Sequence, residues 1–213
     1  MFTIRPETPD DIDDVAAVHV RAWQIAYAGI IPKEVLDALD PAQRAAQRRQ
    51  HRGATGFQTL VATANNTTDP GAATADNTAP DPRATNRDTS SARGTPTDPG
   101  TVIGFVTIGP YRNHQDRTDL DPTVGEVLAI YLEPDRIGTG VGRELMRAAL
   151  TELGQRGYKQ VRLWVLEDNH RSRRFYEKAG FTPDGERATY EVVVPSDGDR
   201  VPLPELRYSR VLG

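Results

Sequence analysis

From Ala64 to Gly100 the chain has no Leu, Ile, Val, Met, Phe, Tyr or Trp, and no other feature limits its folding as strongly. The stretch is built from Thr, Ala, Asp, Pro, Asn, Gly, Arg and Ser. Such a composition cannot bury enough apolar surface to offset roughly 1–2 kcal/mol of backbone entropy per ordered residue. Residues 64–100 are therefore expected to form a disordered low-complexity insertion between two strands of a single domain spanning 1–213. Loop-closure entropy rises only logarithmically with length, so the excursion costs the flanking fold little. A tolerated insertion accounts for it; a partner-binding or regulatory segment is the alternative.

The rest of the 213-residue chain suits one medium domain. Hydrophobic residues make up 37% against 26% charged, with a mean hydropathy of -0.56. The polar average traces to the insertion. There is no cysteine, which excludes disulfides, thiolate metal sites and a cysteine nucleophile. The formal charge is -4, with no basic stripe interleaved with aromatics, so no nucleic-acid partner is expected. Met1 to Pro6 shows no basic region followed by a long apolar run, and no later stretch approaches the roughly 18 apolar residues a membrane span needs. The expectation is a soluble cytoplasmic protein with no membrane partner.

Strands and helices alternate outside the insertion, as in an α/β or α+β domain. Phe2 to Arg5 reads as a strand. Thr8-Pro9-Asp10-Asp11 supplies a cap, a proline at the first helical position and first-turn acids, so a helix starts there. A second helix is expected from about Lys33 to Arg49. Phe57–Ala62 and Thr101–Gly109 read as strands of one long hairpin. Val124 to Leu132 is a mostly apolar, β-branched run, as expected of a central strand covered on both faces. After it come Gly138, Gly140 and Gly142, and then Leu145, Met146, Ala149, Leu150 and Leu153 as the buried stripe of a helix. Val161–Leu166 is the next strand, Asp168 or Asn169 caps a helix through Ala179, and Gly180 ends it. Further strands lie near Tyr190–Val194 and Glu205–Leu212.

Glycines between a strand and a helix let backbone amides approach an anion at the positive end of the helix dipole, and Arg143 adds a full charge. Two familiar ligands fail on spacing. A dinucleotide fingerprint needs a glycine at the sixth position counted from the first, where Arg143 or Leu145 stands, and a P-loop needs a Gly-Lys pair that the chain lacks. The run Pro134-Asp135-Arg136-Ile137-Gly138-Thr139-Gly140-Val141-Gly142 resembles the pyrophosphate loop of the GNAT superfamily of N-acetyltransferases. Ile137 departs from it, standing where the family often has Arg or Gln. Leu163 to Asn169 with Arg174-Phe175-Tyr176-Glu177-Lys178-Ala179-Gly180-Phe181 is similar to the family's second cofactor region. Ile4-Arg5-Pro6, Asp10-Asp11-Ile12, Arg21-Ala22-Trp23 and Ala26-Tyr27-Ala28-Gly29 resemble a common GNAT N-terminus.

The resemblance implies a mixed, mostly antiparallel sheet flanked by helices and splayed at the central strand, where acetyl-CoA enters as co-substrate. It implies cofactor contacts at Ile130, Tyr131 and Leu132, from Ile137, Gly138, Thr139, Gly140, Val141, Gly142 and Arg143 in the loop, and from Asn169 and Tyr176. Asn169 is equally a helix cap. Tyr176 matches the family tyrosine whose hydroxyl meets the coenzyme A sulfur, and a phenol with an ordinary pKa of about 10 can protonate a departing thiolate; packing is the plain alternative. Glu126 is the candidate base. On strict alternation it shares a face with Leu128, Ile130 and Leu132, whose apolar company would raise its pKa; a solvated glutamate or a water chain are the alternatives. Trp23, Tyr27 and Trp164 are candidates for the acceptor pocket, or core contacts.

His19, His51, His114 and His170 show no metal-site spacing, and no Gly-x-Ser-x-Gly elbow is present. No metal is expected. The reading is direct acetyl transfer to a primary amine, a small amine or amino acid, by a chain that could pair as a homodimer. The alternative is a non-catalytic acyl-CoA binding or sensing module.

Overall fold

A computed structural model of the chain describes residues 1–51, 53, 55–64, 100–113 and 118–213. The expected disorder therefore falls outside the described residues, except at its two ends, and so does His114. Those ends are ordered: Ala64 closes a strand, its N–H donates to the Thr101 carbonyl at 3.0 Å, and the Gly100 N–H donates to the Ala64 carbonyl at 3.1 Å.

The chain opens with β1 (Phe2–Pro6), a single helical turn at Pro9–Asp11 and α1 (Ile12–Ala26). Thr8 and Asp11 form the expected capping box, with the Thr8 N–H and hydroxyl both donating to Asp11 Oδ2 at 2.7 Å. Arg5 grips the same buried carboxylate with two hydrogen bonds of 2.7 Å. Those bonds, aided by Thr8 and opposed by burial, hold the Asp11 carboxyl at a pKa of about 2, below the roughly 3.9 of an unfolded aspartate. Stability from this group is complete above about pH 5 and is lost as pH falls through 4 toward 2. Asp11→Asn should flatten the thermal stability between pH 2.5 and 5, and a wild-type slope in that variant would place the acid sensitivity elsewhere.

The helix expected from Lys33 to Arg49 is two helices, α2 (Lys33–Asp37) and α3 (Pro41–His51). Pro41 has no N–H to continue the first, while the Asp40 side chain accepts from the Ala42 N–H at 2.8 Å and starts the second. Then come β2 (Gln58–Ala64), β3 (Val102–Arg112), β4 (Leu120–Leu132), α4 (Val141–Gln155), β5 (Gln160–Leu166), α5 (His170–Lys178), β6 (Thr182–Val193) and β7 (Arg200–Val211). The strands form one sheet in the order β1-β2-β3-β4-β5-β7-β6, antiparallel except for β4 beside β5. This is the mixed, mostly antiparallel architecture expected.

Helix α4 covers one face, where Leu145, Met146, Ala149 and Leu153 pack on Val106, Ile108, Val127 and Val161. Helix α1 covers the other, where Val15 and Val18 meet Val61, Val102 and Phe105. Among the described residues no helix is long and apolar enough to cross a membrane.

One irregularity shapes the site. Thr107 pairs with Ala129 but Ile108 pairs with Val127, so Leu128 is an extra residue in β4, a β-bulge. The bulge reverses the alternation. Val127, Ile130 and Leu132 all pack toward α4, whereas Ala129 and Tyr131 pack toward α1. Glu126 pairs with Gly109, on the α1 face with Ala129 and Tyr131. The expected shared face with Ile130 and Leu132 is wrong, because alternation was carried through a residue that does not alternate.

Candidate active site

Strands β4 and β5 pair only at Gly125 with Val161 and Glu126 with Arg162. Beyond that they diverge, and a cavity of about 690 Å³ runs through the gap from one face of the sheet to the other. The Glu133 N–H donates to the Ile103 carbonyl on the β3 side at 2.9 Å. Backbone groups alternate in direction along a strand, so the Tyr131 amide also faces β3, while those of Ile130 and Leu132 face the gap. Of the three residues expected to offer main-chain groups, two have amides facing the opening. Tyr131 contributes its side chain to the wall instead.

The glycine loop forms the next part of the wall. Gly138 and Gly140 have φ of 86° and 96°, a left-handed backbone that suits glycine. Gly140 is the cap of α4, its carbonyl accepting from the Glu144 N–H at 3.1 Å. The amides of Ile137 and Thr139 are used within the loop, donating to Pro134 and Arg136 carbonyls at 3.3 Å. Those of Gly138, Gly140, Val141, Gly142 and Arg143 have no protein acceptor among the described residues. Val141 is buried in the core, and neither it nor Thr139 is part of the cavity wall, which Ile137, Gly138, Gly140, Gly142 and Arg143 form here. Gly142 has a packing role: a Cβ there would lie 3.1 Å from Leu132 Cδ1 and 3.6 Å from the Phe175 ring.

Charge is distributed unevenly along the cavity. At the glycine end the Arg143 side chain is 82% exposed, with Glu144 no nearer than 3.7 Å, and exposed Arg171 makes no ion pair among the described residues. At the far end Arg48 and Arg112 also line the wall, but both are neutralised. Arg48 donates to both oxygens of Glu7, at 2.6 and 3.0 Å, and Arg112 donates to both oxygens of Glu126, at 3.1 and 3.0 Å.

That second pair overturns the premise behind Glu126 as a base. Glu126 is 3% exposed, yet its company is not apolar: besides the guanidinium, the Arg112 backbone N–H donates to Oε2 at 3.0 Å. Arg112 thus engages both of its oxygens, through one guanidinium nitrogen each and, at Oε2, through the backbone N–H as well.

On α5, Asn169 caps the helix, its Oδ1 accepting from the Ser172 N–H at 3.0 Å, and it also lines the cavity. Tyr176 reaches the same space. Its ring packs on Phe175 and Phe181 with centroids 5.4 and 6.3 Å away, and its hydroxyl has no hydrogen-bond partner among the described residues. Burial pushes its phenol above the ordinary tyrosine range.

Toward the α1 face the cavity wall is aromatic. His19 and Trp23, one helical turn apart, stack at 5.3 Å; Trp23 meets Tyr27 edge-on at 5.0 Å and Tyr190 at 6.5 Å; Phe105 and Tyr131 are 5.7 Å apart. The Tyr27 and Tyr131 hydroxyls lie 3.4 Å from each other, and burial raises both phenols. Burial first, then the Arg44 and Arg48 charges, lower His19 to a pKa of about 3. The imidazole is therefore neutral near pH 7. Trp23, Tyr27 and Trp164 all line the cavity, Trp164 also carrying the Arg207 guanidinium 5.8 Å above its ring. Sequence reasoning missed His19, Tyr190 and Glu205 in the wall. The i, i+4 spacing of His19 and Trp23 was a usable signal; for the two β-strand residues nothing short of the hairpin register would have shown their face. Among the described residues no cluster of three or more metal-ligating side chains occurs.

A strand pair opened over a loop of free amides, with a helix bringing a tyrosine to the gap, defines a class of acyl-transfer fold. Residues 46–181, well over half of the chain, match the Acetyltransferase (GNAT) family, and the chain belongs to that family of N-acetyltransferases. It is 28% identical over 169 residues to YuaI, an uncharacterized N-acetyltransferase of Bacillus subtilis (strain 168), spanning 79% of this chain and 74% of that one. It is 40% identical over 83 residues to the mycothiol acetyltransferase of Thermobispora bispora, but there the match spans 39% of this chain and 27% of the relative. Among solved structures, the PaiA N-acetyltransferase of Thermoplasma acidophilum in complex with coenzyme A superposes with a TM-score of 0.63 at 16% identity, covering 100% of this chain and 99% of that one. An N-acetyltransferase of Staphylococcus aureus Mu50 gives 0.60 at 16%, with 100% and 99% covered. At such identity the likeness is one of fold.

Proposed function

We propose that the chain is a cytoplasmic enzyme that moves the acetyl group of acetyl-CoA to a small-molecule primary amine by direct attack. The observation that carries this reading is the continuity of the cavity. Amides without a protein acceptor and the exposed Arg143 and Arg171 lie at one end, the Tyr176 hydroxyl, unpartnered among the described residues, in the middle, and an aromatic chamber at the other. The amides of Gly138, Gly140, Gly142 and Arg143, all in the cavity wall, fit a diphosphate, helped by the Arg143 and Arg171 side chains. Asn169 keeps its capping bond while its amide nitrogen is available to a pantetheine carbonyl.

Acetyl-CoA supplies an activated thioester carbonyl. The ammonium form of the acceptor first gives one proton to solvent; the neutral nitrogen then forms the C–N bond as the C–S bond breaks, and a second amine proton leaves to solvent. The gap-facing amides of Ile130 and Leu132 are placed to receive negative charge on the carbonyl oxygen, where each such donor is worth a few kcal/mol. Tyr176 keeps its proton at neutral pH and donates it to the sulfur, being reprotonated from solvent. Products are the amide, coenzyme A thiol and one net proton.

With Glu126 held by Arg112 and the basicity of His19 cut by burial to a pKa of about 3, the reading contains no protein base. kcat/KM should therefore rise with pH until it levels at the pKa of whichever amine is used, and the raised Tyr176 phenol should add no falling limb below about pH 10. Thiol release measured with amines of different basicity checks this. A rising limb near pH 6–7 that ignores the identity of the amine would assign a base to the protein. Absence of calorimetric heat from coenzyme A would end the acetyl-transfer reading itself; coenzyme A binding without transfer to any acceptor would favour a sensing module.

A further inference from the structure

Two phenols of the cavity wall have no part in the transfer so far. Tyr27, at the end of α1, and Tyr131, on β4, both line the cavity, and their hydroxyls lie 3.4 Å apart with either able to donate. Burial raises both, so they stay protonated and act through hydrogen bonds alone. The two oxygens carry two lone pairs each. The bond between them uses one and the Trp23 indole at most one more, so at least two are left to accept from a guest. Other acceptors in this part of the wall are taken. The Thr107 hydroxyl is 2.9 Å from that of Thr59, Glu126 holds Arg112, and Glu205 has a partner of its own. An amine brought in among these rings has N–H groups that need an acceptor, and the phenol pair supplies it.

The pair also stands where the reaction needs it. Tyr131 lies between Ile130 and Leu132, whose amides face the gap, and Tyr176 interacts electrostatically with both phenols. The attacking nitrogen must come within about 3–3.5 Å of the thioester carbon, so the groups that hold oxygen, sulfur and nitrogen have to surround one point. Arg44 favours the attacking form. Its guanidinium carbon, 5.6 Å from the Trp23 ring centroid, belongs to a cation with no ion pair among the described residues, whose charge reaches Tyr131; a cation there disfavours an ammonium relative to the neutral amine.

We infer that the Tyr27 and Tyr131 hydroxyls hold the acceptor nitrogen, their oxygens accepting the two N–H bonds of a neutral primary amine and leaving its lone pair free to attack. This rests on the acetyl-transfer reading above and adds the residues that select primary over secondary amines.

A secondary amine brings one N–H and engages half of the pair. The test measures thiol release for butylamine and phenethylamine and for the N-methyl derivative of each, using the full chain and its Tyr27→Phe and Tyr131→Phe variants, with coenzyme A binding followed by calorimetry. The wild type should prefer each primary amine to its N-methyl derivative by about tenfold or more in kcat/KM, the weight of one hydrogen bond. Either variant should lose about tenfold on the primary amines and little on the secondary ones, so the preference falls toward parity while coenzyme A affinity holds. A tyrosine that only packs would lower both kinds of amine alike. The ratio is taken within one preparation, so partial misfolding does not mimic the result, and each variant decides without the other. An unchanged ratio in a folded variant would overturn the inference and leave acetyl transfer standing. Coenzyme A bound by the wild type without turnover of any of these amines would overturn it as well, whereas absence of coenzyme A binding would bring down the parent reading.

Discussion

Tyr176→Phe should lower kcat by about 100-fold or more, the usual weight of a positioned general acid, with coenzyme A affinity and melting temperature close to wild type. The substitution removes one oxygen. That oxygen has no protein partner among the described residues, so its loss leaves no buried group unsatisfied, and the ring keeps its contacts with Phe175 and Phe181. The three readouts therefore separate. Falling kcat with constant Kd and constant Tm is the signature of an interaction made only on the way to the transition state. Unchanged kcat would reduce Tyr176 to a packing residue and leave the thiolate to be protonated by solvent. The raised phenol sharpens the expectation, because a tyrosine held neutral by burial is a donor at every pH at which the protein would be assayed.

How much of this could be read beforehand depends on whether the information was local. The turn from β4 into α4 was legible, since Gly138 and Gly140 need a left-handed backbone and Leu145 to Leu153 carry a helical stripe. The Thr8–Asp11 box and the Asn169 cap were legible for the same reason, as side chains that bond to backbone within three residues. The break between α2 and α3 is equally local, and Asp40-Pro41 announces it. What escaped depends on pairing between distant segments. The bulge at Leu128 is visible only against β3, and it decides which face Glu126 occupies. The Arg112 and Glu126 partnership joins two strands through that same register. Tyr190 and Glu205 reach the chamber because β6 and β7 pair as they do, and a one-residue slip would have turned both away.

Glu126→Gln distinguishes a structural from a chemical role for that residue, and the two make opposite predictions. As the partner of Arg112, Glu126 balances a guanidinium whose side chain is 25% exposed while its own is 4% exposed. Removing the charge leaves a largely buried cation uncompensated, at a cost of about 3 kcal/mol, or a fall in Tm of roughly 6–12 °C for a domain of this size. At temperatures where the variant is folded, kcat with saturating substrates should stay near wild type. A general base would give the reverse, little change in Tm and a loss of about 100-fold or more in kcat. Replacing both partners together provides the control: Glu126→Leu with Arg112→Leu should recover much of the stability lost by Glu126→Gln, because a buried ion pair exchanged for apolar contacts leaves no charge stranded. If the double variant is instead less stable than the single one, the three hydrogen bonds that Glu126 accepts outweigh the desolvation of the pair, and the bulged segment of β4 is held in place by that carboxylate.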